Sequence, residues 1–439
     1  MKRLLDTEVK YMDQTDLQVP PLLSSWGSLV GYLDCTLVLG TEGFDIVSIT
    51  TIEDPQDPEK YWLSYLKLKD NHTFKQDLSV VEISNTEDLV YNNQFRVQEI
   101  SEQEVCIAFS KELNPFKPPD ITESVGKIRL APLGYEKVFE APQKAVYKVT
   151  TKDDKYCYLR LDNSCPEGRD PSKLKFARVS MLSDMDFIDD YAFKLGRYKS
   201  PAYENDYDRG ENSIYDVWFH SRYNSSEMNM DGVGYNLQEY CIVGDSSTFY
   251  LSLDNLRYSS SYYMDKTYIF GLYDKFIYKE DPLPFILHTS ERISTTSPSF
   301  DPYNYYSNLT RDRNYGKHTF KTDFENIFTS ATSDRWAPWL GDGYHSGANT
   351  RVNFKPYKNE IKINLVDSVL RFYRFQNTVL EGKYRGIKFI LNNLQDSEQF
   401  LPKVKEPFSQ DGRKFIRIKD RDYSEISYFL IQLDNWSDV

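Results

Sequence analysis

Short apolar stretches with a period of two recur along the chain. Between Phe44 and Phe109 they read "FDIVSITTI", "YWLSYLKLK", "LSVVEIS", "QFRVQEI" and "EVCIAFS", separated by clusters of Asp, Pro, Asn or Glu. Each is rich in Val, Ile and aromatic residues, which fit a pleated surface, so the spacing predicts a small all-β sandwich or barrel. "LNPFKPPDITES" (113–124) holds three prolines and no periodicity, and reads as a linker. Alternation resumes with "KAVYKVTT" and "KYCYLRLDN", which read as a hairpin, and continues through "KLKFARVSML", "IYDVWFHSRY", "EYCIVG", "TFYLSLD" and "TYIFGLYDKFIY". It returns in "GIKFILNN", "KFIRIK" and "ISYFLIQLD". Helix is expected only as a short piece near the start.

Residues 239–254, "EYCIVGDSSTFYLSLD", carry this pattern most clearly. A turn at Gly244-Asp245 would fold the stretch into a hairpin, with Gly244 at positive φ. Phe249, Leu251 and Leu253 would then share a buried face, and Tyr250, Ser252 and Asp254 the opposite one.

The expected fold is mainly β, with two or more antiparallel sandwich- or barrel-like modules and long, ordered, aromatic-rich loops. Its expected divisions are an arm with a short helix or strand (1–43), a small all-β insert (44–112), the linker (113–124) and a central β domain (125–288). A long aromatic-rich loop region (289–360) and a C-terminal β segment packing on the central domain (361–439) complete it.

Length and charge narrow the functional classes. At 439 residues the chain exceeds one ordinary core. Its 66 Asp and Glu against 53 Lys and Arg give a formal charge of −13, spread along the chain, which repels phosphate backbones and anionic lipid. Nucleic acid is therefore not an expected partner. No run of 18 apolar residues is present, so membrane insertion is not expected, and "MKRLLDTEVKYMD" lacks the apolar core of a signal peptide.

Candidate chemistry is sparse. The five cysteines, Cys35, Cys106, Cys157, Cys165 and Cys241, are scattered and lack framework spacing, so reduced, mostly buried thiols are expected. No histidine stands four residues from another or from a cysteine, and His220 reads as a hydrogen-bonded, partly buried strand residue. Phosphate loops, dinucleotide fingerprints and nucleophile elbows are missing from the sequence, and no cofactor is expected. "SDMDFIDDY" gathers Asp184, Asp186, Asp189 and Asp190, which read first as a solvated acidic loop and second as a cation site without EF-hand spacing.

Aromatic residues, 15% of the chain with 34 Tyr and 26 Phe, suggest contact surfaces. Tyr303, Tyr305, Tyr306, Trp336, Trp339 and Tyr344 lie in the 289–360 loop region, too much apolar surface to leave in water. Pro20-Pro21 holds an arm extended, with Leu22 and Leu23 at its tip. Pro20, Leu22, Leu23 and the six aromatics are the candidate interface residues.

The order of blocks from Leu130 onward resembles a widespread family of tailed-bacteriophage virion proteins, structural and tail-associated. That family runs "GW-K-F … AVYR", "YLRVDD", "YE-MSD-D", "VGD-R-FYL" and "FGD". Here Gly134, Tyr135, Lys137 and Phe139 stand in the first block, with Ala145, Val146 and Tyr147 continuing it. Leu159, Arg160 and Asp162 match the second block; Met181, Ser183, Asp184 and Asp186 match the third. Gly244, Asp245 and Phe249-Tyr250-Leu251 match the hairpin, while "LEGKYRGIKFI" and "GRKFIRI" resemble the closing segments. Tyr135 replaces the usual Trp, "FGLYD" carries two extra residues, and 289–360 matches none of these blocks.

The resemblance implies a non-enzymatic structural component of a virion, of the tail or baseplate, assembled in the host cytoplasm in symmetry-related copies among other virion proteins. A head-decoration, collar or fibre-attachment protein is the alternative of the same class. A carbohydrate-binding receptor-binding protein is the alternative of another, with aromatic faces stacked on a host-surface glycan.

Overall fold

The computed structural model describes residues 4–23, 25–123, 126–150, 154, 156–165, 176–182, 185–188, 216–220, 239–259, 262–275, 285–288, 318–321, 328–331, 371–374, 379–392, 403–410, 413–422, 425–434 and 436. Strand β1 (Lys10–Asp13) leads through the Pro20-Pro21 stretch to helix α1 (Ser28–Leu33), which widens into a π-helical turn over Asp34–Leu39. Leu29, Val30, Tyr32 and Leu33 are all buried, so six residues hold a helix through packing rather than length. Asn163 seats its start: the Asn163 carbonyl accepts from Gly27 N at 3.1 Å and its side chain from Leu29 N at 3.1 Å.

Six strands then close a barrel: β2 (Phe44–Glu53), β3 (Tyr61–Leu68), β4 (Val80–Ser84), β5 (Gln94–Ile100), β6 (Glu104–Ser110) and β7 (Lys127–Leu130). Their order around the barrel is β2-β3-β6-β5-β4-β7, and Phe44 opposite Ile128 completes the ring. Inside, Phe109 meets Phe95 and Tyr91 edge-on at centroid distances of 5.0 and 5.6 Å. The outer face of β3 and β6 is also covered: Leu63, Cys106 and Ala108 are buried with Leu5 packed against them.

The barrel extends past its expected end. The segment expected to be a linker, 113–124, falls between two barrel strands, and within it Ile121 pairs antiparallel with Ile49 of β2. Its prolines shape a rigid crossover, with Pro119 O accepting from the Tyr91 hydroxyl at 2.8 Å. The expected boundary at 112 is thereby corrected to Leu130.

A second sheet runs β12-β11-β10-β9-β8, built from β8 (Glu136–Ala141), β9 (Lys144–Thr150), β10 (Tyr156–Asp162), β11 (Phe176–Leu182) and β12 (Asp216–Phe219). The expected hairpin is β9-β10, with Tyr147 opposite Leu159. The largest sheet joins β1 to β13 (Glu239–Gly244), β14 (Thr248–Ser259) and β15 (Tyr262–Lys275), with β16 (Phe285–His288) beside β15. Further members among the described residues are β17 (His318–Lys321), β18 (Phe328–Ala331), β19 (Arg371–Arg374), β20 (Val379–Tyr384), β21 (Ile387–Asn392), β22 (Pro407–Gln410), β23 (Arg413–Asp422) and β24 (Glu425–Gln432). The fold is mainly β, as the alternating pattern predicts.

The expected hairpin is β13-β14, with Gly244 opposite Phe249 and Tyr240 opposite Leu253. Phe249, Leu251 and Leu253 are fully buried, and so are Tyr250 and Ser252, with Asp254 almost so. Both faces are covered, which corrects the expectation of one exposed side. The row Met12, Ile242, Leu251, Tyr268 packs toward the five-stranded sheet, where Trp218 stacks on Tyr268 at 5.3 Å. The row Tyr11, Val243, Tyr250, Ile269 packs toward Ile416, Ile418 and Ile431 of β23 and β24. Strands covered on both sides read as near-continuous apolar runs, as "YCIVG" does.

The turn is held by Asp245, whose Oδ1 accepts from Ser247 N, Ser247 Oγ and Thr248 N at 2.7–2.8 Å. Gly244 is not at positive φ. The requirement for glycine there is space, because a Cβ would sit 2.5 Å from Thr248 O and 2.7 Å from Leu133 Cδ2.

Candidate functional site

Several of the polar groups that the fold draws inward lie where the N-terminal segment, the barrel and the large sheet meet. Arg96, on β5, is 1% exposed. Its Nε donates to Asp6 O (3.0 Å), Nη1 to Leu78 O (3.0 Å), and Nη2 to Val9 O (2.7 Å) and Leu433 O (3.2 Å). One guanidinium therefore ties the N-terminal segment, the barrel and the C-terminal strand region together through main-chain carbonyls. Burial lowers its pKa to about 10, so it stays charged at neutral pH.

Ion pairs also join parts far apart in sequence. Lys414 of β23 reaches Asp77 beside the barrel at 2.5 Å, and Lys405 reaches Asp254 of β14 at 2.5 Å. Arg385 reaches Asp245 at 3.2 Å and also bonds Ser247, so it clamps the hairpin turn. Lys75, on the barrel's β3–β4 connection, is shared by Asp13 and Asp16 of the N-terminal segment.

The two carboxylates on Lys75 differ in environment. Burial alone would raise Asp13, but Lys75, the Tyr11 hydroxyl at 2.7 Å and Thr15 hold it below the usual range. Asp16 is more deeply buried and next to Asp13, and burial pushes it up to about 6 despite Lys75. The folded state thus binds a proton at Asp16 more tightly than the unfolded chain does. The resulting stabilisation is complete below about pH 4 and lost as pH rises through 6. Asp16→Asn should remove that slope: relative to the variant, the wild type is expected to lose about 2 kcal/mol between pH 4.5 and 7.5. Urea titrations of both proteins at the two pH values would measure it, and parallel pH profiles would refute the assignment.

The thiols are placed for packing. No disulfide joins any of the five cysteines, and all but Cys165 are buried. Burial pushes Cys35 up to about 11 and Cys241 up to about 12, leaving little nucleophilic thiolate at neutral pH. His220 is fully buried and lies one residue past β12 rather than partly buried within a strand; Asn163 Nδ2 donates to its Nε2 at 2.7 Å, so the imidazole is hydrogen-bonded as expected. Among the described residues, no group of three or more His, Cys, Asp or Glu is arranged for a metal ion. Asp186 is exposed, whereas Asp184, Asp189 and Asp190 lie outside the described residues.

The candidate interface residues divide. Leu22 is corrected: it is 0% exposed and belongs to the chain's own core, because the Pro-Pro arm lies back on the large sheet, where Pro20 O accepts from the Tyr240 hydroxyl at 3.2 Å. Pro20 is half-buried by the same contact, and Leu23 remains 40% exposed. Tyr303, Tyr305, Tyr306, Trp336, Trp339 and Tyr344 lie outside the described residues. Sequence reasoning missed Arg96 and Lys75 altogether. The one local signal for Arg96 is a cation between Phe95 and Val97 in an otherwise apolar strand. Comparison of the chain with protein-family models, curated proteins and solved structures finds no match.

Proposed function

We propose that the protein is a non-enzymatic structural component of a tailed-bacteriophage virion, of the tail or baseplate, acting through protein–protein contacts. One observation carries this reading: three of the blocks on which the resemblance rests, the first, the second and the hairpin, supply residues to the core. Tyr135, of the first block, packs edge-on to Phe249 at 5.7 Å and also meets Phe270 at 6.2 Å, joining that block to the hairpin block. Tyr147, Leu159 and Leu251 are fully buried, and Asp162 is held by Arg178 at 2.7 Å and by Arg160 at 3.6 Å. A shared order of core-forming blocks is what a scaffold family would keep. Buried charged groups such as Arg96, Asp13, Asp16, Asp254 and Lys414 tie segments far apart in sequence, which suits a rigid assembly part.

Quantitative mass spectrometry of purified particles from cells producing the chain tests the proposal. The chain should be present at a fixed copy number that is a multiple of the tail symmetry. Its absence from intact particles would overturn the reading.

A further inference from the structure

The barrel has one end turned into the protein and one turned away. β2 ends at Glu53, β4 at Ser84 and β6 at Ser110, so the connections 54–60, 85–93 and the stretch 111–123 all emerge at the same far end. Three of the largest exposed apolar side chains sit on them: Leu89 (81% exposed), Leu113 (80%) and Phe116 (85%). Their loops are held from below. The Tyr91 hydroxyl donates to Pro119 O, Trp62 Nε1 donates to Asn114 O at 3.2 Å, and Asp120 accepts from Thr51 N at 2.7 Å. Presenting apolar groups on a braced platform lowers the ordering cost of a contact, and nothing in the barrel's own packing requires them outside.

The charge around them narrows the occupant. The three connections carry eight carboxylates and three lysines. Lys60, Lys111 and Lys117 are already paired with Asp57, Glu53 and Asp120. Glu59, Glu87, Glu112 and Glu123 stand exposed around the apolar tip. Anionic lipid would be repelled, and a second copy docking tip to tip would bring two acidic rings together. We propose that this end is a docking surface for a different protein, one that receives Leu89, Leu113 and Phe116 in an apolar pocket rimmed by lysine or arginine. The inference holds for any assembly and does not require the virion reading.

The test replaces Phe116 in the full chain with a photo-crosslinking benzoyl-phenylalanine, illuminates the producing cells and identifies adducts by mass spectrometry. The same replacement of Phe187, 58% exposed and outside the barrel, is the control. Position 116, but not 187, should trap another polypeptide through an apolar peptide flanked by Lys or Arg. In the E59Q/E87Q/E112Q/E123Q background, with melting unchanged, the yield should fall about tenfold, since rim charges act on encounter and partner choice. An adduct to a second copy or to lipid, no adduct at 116, or an undiminished yield in the glutamine variant would each overturn the proposal. Particles lacking the chain would end the virion reading without touching this result.

Discussion

Replacing Arg96 with Met is expected to destabilise the protein by about 3–5 kcal/mol, the scale found when a buried charged group is removed from its partners. The side chain is nearly isosteric along its stem, so the loss lies in the hydrogen bonds. Carbonyls of Asp6, Leu78, Val9 and Leu433 would lose a charged donor at once. Arg96→Lys keeps the charge but not the planar fork, and one ammonium cannot reach carbonyls fanned around the guanidinium plane. Its expected cost is intermediate, about 2 kcal/mol. Because Asp6 and Val9 flank the entry to β1, the loss should appear locally as faster hydrogen exchange in Lys10–Asp13 before the barrel unfolds. Urea denaturation with exchange mass spectrometry measures both. An Arg96→Met variant within about 1 kcal/mol of the wild type would mean that these ties do not hold the N-terminal segment to the barrel.

The elements legible in the sequence are those whose side chains alternate or run apolar for five residues or more. The five strands expected between 44 and 110 are β2 to β6, shifted by at most two residues at an end. β1 and β7 were not legible. Each has four residues, "KYMD" and "KIRL", and each owes its place to a partner far away: Cys241 opposite Asp13, Phe44 opposite Ile128. Burial of charge was illegible for the same reason. Asp13, Asp16, Lys75 and Arg96 look like solvated residues until the fold supplies the opposite charge or carbonyl. The prolines of 113–124 misled because a rigid crossover and a linker share a composition, and only the closing strand after it distinguishes them. Leu22 followed a similar course: a Pro-Pro arm with an apolar tip fits a neighbour's surface or its own, and here its own is used.

The two glycines at the hairpin tip are expected to tolerate no side chain. Gly244 pairs with Phe249 at the end of β13, and Gly271 on β15 pairs with Thr248 on the opposite side of β14. At Gly244 the backbone is one that any residue adopts, but an added Cβ would come within 2.5 Å of Thr248 O and 2.7 Å of Phe249 Cβ. These are atoms of the adjoining strand, fixed by the Asp245 turn and the Arg385 clamp, so they cannot step aside without opening the ladder. Gly244→Ala should cost about 1–3 kcal/mol, the range for overpacking a filled site, and Gly244→Val more. Gly271 adds a second penalty: its φ is +136°, and its Cβ would collide with the Ser247 carbonyl. Gly271→Ala should therefore cost more than Gly244→Ala, by about 1–3 kcal/mol of backbone strain. Both press on the start of β14 where it leaves the turn, since each added Cβ would meet an atom of Thr248, from opposite sides. The double variant should then fall short of the sum of the singles, since a turn already displaced by one methyl leaves less for the other to disturb. Full additivity in thermal or urea unfolding would show that the glycines meet independent obstacles; a neutral Gly271→Ala would show that the turn can yield.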